Sequence, residues 1–172
     1  MQNELANSVS VRQIVTAFET ADGLPSPFGE SYVQWYAGVV QHLAMWARTR
    51  VRPPIIGISG CQGSGKSTLA TLMAQQMCQV HGVAAVSLSL DDFYRTKGER
   101  RQLGADIHPL LTTRGVPGTH DVPLLLHTIE QLRAGGEGVS LPLFDKASDD
   151  RAAMQHWRTS DAGTELIILE GW

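Results

Sequence analysis

The clearest chemistry in this sequence lies in one short run, Gly60-Cys61-Gln62-Gly63-Ser64-Gly65-Lys66-Ser67, which places glycines, a lysine and a hydroxyl at the spacing G-x-x-x-x-G-K-S. Glycines let the backbone approach an anion closely and take dihedrals that other residues resist. Successive N–H groups then turn inward as an anion nest, and a following helix adds its positive end. This is a phosphate-binding loop for a nucleoside triphosphate, the Walker A pattern. Lys66 is expected to reach the β- and γ-phosphates, and Ser67 to offer its hydroxyl to Mg²⁺. Gly60, Gly63, Ser64, Gly65, Lys66, Ser67 and Thr68 are the expected contacts for MgATP. A chance match is the alternative. The context argues against it, because an apolar run precedes the loop and an amphipathic segment follows.

Acidic groups stand where such a loop needs them. Asp91 and Asp92 follow the apolar stretch Val83–Leu90, and Glu170 follows Leu166-Ile167-Ile168-Leu169. Ligands of open α/β sheets bind at the carboxyl ends of strands. A carboxylate there can take the proton of an attacking hydroxyl. The aspartates read equally well as a turn or capping pair. Glu170 is placed to orient a Mg²⁺-bound water or support the metal from behind, or is an ordinary strand-end acid. The segment Arg114-Gly115-Val116-Pro117-Gly118-Thr119-His120-Asp121 carries no generic motif. On its own it is a turn and a helix cap, and Lys146 and Arg151 are solvated charges.

Several elements must position these groups. Ile55–Ser59 reads as a buried parallel strand, Lys66–His81 as a helix ended by Gly82, and Val83–Leu90 as a second buried strand. Together they form a βαβ unit. Asp121 is placed to cap a helix running to Arg133. Val139–Leu143 is a possible short strand, residues 145–163 a polar excursion, and Leu166–Leu169 a third buried strand. Asp91–Thr119 is polar, with only short helical possibilities. Upstream, residues 1–20 hold a weak helical pattern and Ala21–Glu30 a loop. Tyr32, Trp35, Tyr36, Val39, Val40 and Leu43 make one apolar helical stripe, read as packing, that ends before Pro53-Pro54. The expected organisation is an N-terminal helical extension over 1–52, packing on an α/β core over 53–172.

The chain has 172 residues, 42% hydrophobic and 18% charged, with net charge -3. That suits one globular domain and argues against disorder. A pI near 6.0 without a basic face argues against a nucleic-acid partner. Cys61 and Cys78 form no metal-ligand or disulfide pattern. No apolar run approaches the roughly 20 residues of a membrane helix, and no signal peptide is visible. No membrane partner is therefore expected, and the cytoplasm is the expected address.

The phosphate loop, Leu90-Asp91-Asp92-Phe93-Tyr94, Arg114–Asp121, Leu143-Phe144-Asp145-Lys146 and Leu169-Glu170-Gly171-Trp172 occur in an order that resembles D-glycerate 3-kinases of the plant and fungal type. Uridine kinase, phosphoribulokinase and bacterial pantothenate kinase are the wider relatives. The resemblance covers residues 32–172. Its phosphate loop identifies only a superfamily, whereas the Arg-Gly-x-Pro-Gly-Thr-His-Asp run with Asp-Lys and Leu-Glu-Gly-Trp is far more specific. It implies a three-layer P-loop fold with a parallel sheet, and transfer of the ATP γ-phosphoryl group to a hydroxyl, with D-glycerate as acceptor. It implies that Asp91 is the catalytic base beside Lys66, and that Glu170 is the Walker-B-like acid. Asp92, Tyr94, Arg114, His120, Asp121 and Lys146 are then expected around the acceptor, with Arg114 facing its carboxylate. Family members continue past this strand, so a truncated chain with an incomplete sheet is expected, its phosphate-loop strand at an edge. Uridine, pantothenate or a sugar phosphate is the alternative acceptor. A nucleotide-binding fragment without catalysis is the alternative of another class.

Overall fold

The computed structural model describes residues 10–25, 27–161 and 163–172. Three helices lead: α1 (Val11–Asp22), α2 (Pro27–Trp35) and α3 (Ala37–Ala47). Then come β1 (Ile55–Ser59), α4 (Lys66–His81), β2 (Ala85–Ser89), α5 (Lys97–Asp106) and α6 (Val122–Arg133). Four two-residue strands follow: β3 (Ser140–Leu141), β4 (Phe144–Asp145), β5 (Asp150–Arg151) and β6 (Arg158–Thr159). The last element is β7 (Leu166–Gly171).

The main sheet is parallel with the order β1-β7-β2. Five of the six positions of its middle strand are apolar or small, and its side chains alternate between two cores. Leu166 and Ile168 pack with α4 and the N-terminal helices, through Ala70, Leu72, Met73, Met77, Val40, Ala44 and Phe18. Ile167 faces the other way, onto Leu125, Ile129 and Leu132 of α6. This gives three layers, α/β/α. The N-terminal helices share one continuous apolar core with α4.

Local signals account for the element ends. Ser10 and Gln13 form a capping box on α1, and Gly23 closes it with φ 62°. Helix α4 begins at Gly65, φ 82°, and stops at Gly82, φ 59°. Both conformations favour glycine.

Four expectations change. First, β1 is not buried: Ile55 is 40% exposed, because among the described residues only β7 pairs with the strand and its other edge is open. Second, the single aromatic helix is two helices meeting at Tyr36, and α2 starts at Pro27, inside the expected loop. The break confines burial to Tyr32, Val40, Ala44 and Ala47, while Trp35, Tyr36 and Val39 are exposed. Third, the Asp91–Thr119 stretch holds a full helix, α5, whose capping box is Thr96 and Glu99. Fourth, the polar excursion is pinned by two small antiparallel pairs, β3 with β6 and β4 with β5.

Candidate active site

Parallel strands bring three chain turns to one edge of the sheet. The phosphate loop leaves β1, Asp91 follows β2, and Glu170 sits at the end of β7. Register fixes them level with one another, because Glu170 is paired with Ser89 on one side and Ile58 on the other.

The loop itself is shaped for an anion. Gly63 and Gly65 have φ of 74° and 82°. A Cβ on Gly60 would stand 3.0 Å from Ser64 Oγ, tight against the turn. Lys66 Nζ arches back to donate to the Cys61 carbonyl at 2.8 Å, so its cation lies over the loop. Ser67 Oγ donates to Glu170 Oε1 at 2.8 Å. That couples a hydroxyl at a helix N-terminus to a carboxylate only 4% exposed. Hard oxygen donors in this pairing fit Mg²⁺, and the glycine cradle fits the phosphates that would accompany it. Among the described residues no trio of His, Cys, Asp or Glu forms a separate metal cluster.

Two clefts open on either side of Asp91. The first, about 470 Å³, is lined by Ser67, Asp91, Asp92, Lys146, Arg158 and Glu170 among others. The second, about 570 Å³, is lined by Gln62, Asp91, Tyr94, Thr112, Thr113, Arg114, Gly115, Lys146 and Asp149. Lys146 Nζ donates to Asp91 Oδ2 at 3.1 Å, so this exposed pair forms the wall between the clefts.

The expected acceptor residues separate into groups. Asp91, Tyr94, Arg114 and Lys146 converge on the second cleft. Asp92 belongs to the first, where its Oδ1 accepts the Phe144 N–H at 3.1 Å. Burial holds its carboxyl above the ordinary range, countered in part by that N–H, Arg158 and Lys146. Asp121 lines neither cleft. One of its oxygens caps α6 through Leu124 N at 3.1 Å, and the other pairs with Arg151 at 2.9 Å. Arg151 is likewise committed, since it also donates to the Tyr94 carbonyl at 2.9 Å. His120 stands behind the site, stacked on Tyr94 with centroids 4.1 Å apart. Its Nε2 is buried without a partner, and burial lowers its pKa. Burial raises that of the Tyr94 phenol.

Sequence reasoning gave no role to Gln62, Asp149 or Arg100. Gln62 occupies a variable position of the loop motif, and Asp149 lies in a run of acids with no spacing signal. Arg100 is a helix residue whose burial only tertiary packing reveals.

Comparisons with known proteins agree with this geometry. The phosphoribulokinase / uridine kinase family matches residues 55–172. A protein of Schizosaccharomyces pombe described as "Uncharacterized kinase mug58" is 37% identical over 142 residues, covering 78% of this chain and 51% of that protein. Pantothenate kinase of Shewanella woodyi is 30% identical over 135 residues, covering 78% of this chain and 40% of that protein. The solved structure of D-glycerate 3-kinase from Cryptococcus neoformans var. grubii superposes with a TM-score of 0.67 at 30% identity. It covers 81% of this chain and 51% of that one. The chain spans about half the length, or less, of the curated relatives it matches. A phosphate loop at the end of one parallel strand, with the acids that end the sheet's other two strands level beside it, thus comes with matching sequence over residues 55–172, and the chain belongs to the phosphoribulokinase / uridine kinase family of P-loop kinases.

Proposed function

We propose that the chain carries the nucleotide-binding loop and acceptor cleft of a kinase that moves the γ-phosphoryl group of MgATP to a hydroxyl of a small carboxylate, D-glycerate being the first candidate. The supporting observation is the convergence of Asp91 with two cations, Arg114 and Lys146, on one cleft beside the phosphate loop. The loop amides and Lys66 hold the triphosphate. Asp91 accepts the proton from the acceptor hydroxyl. Arg114 pairs with the acceptor's carboxylate, where a planar guanidinium suits two-point contact. Ser67, with Glu170 behind it, would hold Mg²⁺, which would supply positive charge beside the phosphates. Most of the rate enhancement in such a site is positioning and electrostatics.

Glycerate and pantothenate both carry one carboxylate and a free hydroxyl, and uridine carries no carboxylate. The two cations therefore favour the first pair, and two of the relatives are named for those acceptors, pantothenate kinase and D-glycerate 3-kinase. ADP formation by the purified chain with MgATP and D-glycerate, pantothenate or uridine tests this. Acceptor-dependent turnover with a carboxylate supports the reading, and turnover with uridine alone refutes the choice of acceptor. Absence of turnover and of MgATP binding refutes the kinase assignment for this chain.

A further inference from the structure

Asp149 is the single non-glycine residue with positive φ, 55°, among the described residues. Its carboxylate is shared by two arginines. Oδ2 accepts from Arg100 Nη2 at 2.8 Å, and Oδ1 pairs with Arg114 Nε at 2.8 Å. The Asp149 carbonyl takes a further bond from Arg100 Nη2 at 2.7 Å. Both guanidinium carbons lie 5.3 Å from the centroid of the Phe144 ring. The side chain of Arg100 is 0% exposed, and its Nε and Nη1 are buried without a hydrogen bond.

A fully buried guanidinium with two unmet donors is costly unless its charge is answered. Its only ion-pair partner among the described residues is a carboxylate that it shares. The Arg–Asp–Arg unit therefore keeps a surplus positive charge, and its accessible end is Arg114, 34% exposed and lining the second cleft. Arg114 meets Asp149 through Nε in an ion pair, and among the described residues no other ion pair of its guanidinium is found. The charges lining the cleft balance, Arg114 and Lys146 against Asp91 and Asp149, and the fully buried Arg100 behind Asp149 adds a further cation. One positive charge is left over.

We propose that Arg100 and Asp149 are positioning residues that hold the terminal nitrogens of Arg114 toward the acceptor cleft and fix the cleft at one net positive charge, so that it selects a singly charged carboxylate over a doubly charged one. This rests on the acceptor reading above. Strain at Asp149 is consistent with it, since an unfavourable backbone is kept where the surroundings demand a particular side-chain direction.

The test compares D-glycerate, a monoanion, with tartronate, a hydroxy-dicarboxylate dianion. Each is titrated calorimetrically into the 172-residue chain without nucleotide, as wild type, Asp149→Asn and Asp149→Gly. Asparagine and glycine both tolerate φ near 55°, so both variants suit the backbone; asparagine removes the charge, and glycine the whole side chain. Wild type should bind glycerate more tightly than tartronate. Both variants should shift that ratio toward tartronate by about two- to fivefold, the scale of one partly exposed charge pair. An unchanged ratio would mean that Asp149 serves the fold alone and would overturn the proposal. So would a wild-type chain that binds neither anion, or that prefers the dianion. Binding of MgAMP-PNP, measured in parallel, reports on the kinase assignment separately, because the acceptor titrations need no nucleotide.

Discussion

The hydroxyl of Ser67 and the carboxylate of Glu170 meet at 2.8 Å although 103 positions separate them in the chain. The contact joins the first turn of α4 to the end of the central strand. It exists because β7 runs parallel to β1 in a register that brings Glu170 level with Ile58. If this pair supports Mg²⁺, Glu170→Gln should lower the apparent affinity for Mg²⁺ by about 10- to 100-fold, as loss of a metal-orienting partner typically does. A magnesium titration of MgATP binding or of turnover reads the change. Equal affinities in variant and wild type would leave Glu170 a structural acid.

Lys66 lies over the phosphate loop with its amine on the Cys61 carbonyl. Lys66→Ala removes the one side-chain cation of the loop while leaving its backbone nest. Turnover should fall by about 10²–10³, the usual cost of losing one charge-stabilising donor at a transition state. Wild-type rates in this variant would rule out the proposed chemistry.

Asp91 is the only carboxylate on both clefts. As general base it should account for about 10²–10⁴ in rate, so Asp91→Asn should lose that much in kcat while binding MgATP as before. Lys146→Met frees Asp91 from its cation and should raise the KM for a carboxylate acceptor more than it lowers kcat. Equal effects on both constants would remove Lys146 from the acceptor's surroundings.

Arg151 and Asp121 form the better-buried ion pair, with side chains 13% and 17% exposed. The pair ties the β4–β5 hairpin to the start of α6. Arg151→Met should lower the unfolding free energy by about 3 kcal/mol, since it leaves Asp121 without its partner. Urea denaturation shows this as a lower midpoint at unchanged slope. The result also separates Arg151, which holds the fold, from Arg114 and Lys146, which face the cleft.

Acid should weaken the joint between α4 and the N-terminal helices. His81 Nε2 lies 3.1 Å from Gln76 Nε2, and Gln76 Oε1 accepts from the Tyr32 hydroxyl at 2.7 Å. Arg48 donates to the His81 carbonyl. Burial first, and Arg48 second, lower the His81 pKa. The folded state then binds fewer protons than the unfolded chain below about pH 6.5. Stability accordingly falls as pH drops from about 6.5 toward the lowered folded-state value, and this contribution levels off beneath it. His120, lowered by burial, acts in the same sense. His81→Gln should flatten part of the decline in melting temperature between pH 7 and pH 5, and an unflattened curve would assign the decline elsewhere.

Much of the fold around the site was legible in the sequence because its signals are local. Helix α4 spans Lys66–His81 and α6 starts after Asp121, where glycines and a capping acid mark them. Helix α5 was equally marked by Thr96 and Glu99, a capping box hidden among polar residues without an apolar stripe. The fate of Asp121 was not legible, because a single aspartate suits a cap, an ion pair or a ligand, and here it takes the first two. Nor was the exposure of Trp35 and Val39, which depends on a helix break that no proline or paired glycine announces. Arg100 illustrates the remaining limit: charged helix residues are normally solvated, and only the folded hairpin opposite shows that this one is enclosed.

The placement of β7 between β1 and β2 has a kinetic consequence. Among the described residues the two earlier strands do not pair with each other, so these three strands are joined only through residues 166–171. Each ladder then joins segments far apart in sequence: Ile55 with Ile167, and Ala85 with Leu166. Such non-local pairing slows folding, because the entropy of closing long loops is lost before the contacts form. Helices α1 to α4 form from near neighbours and can gather first, with the sheet condensing onto them in a single late step. Among the described strands, the one latest in sequence thus lies between the two earlier ones and joins them.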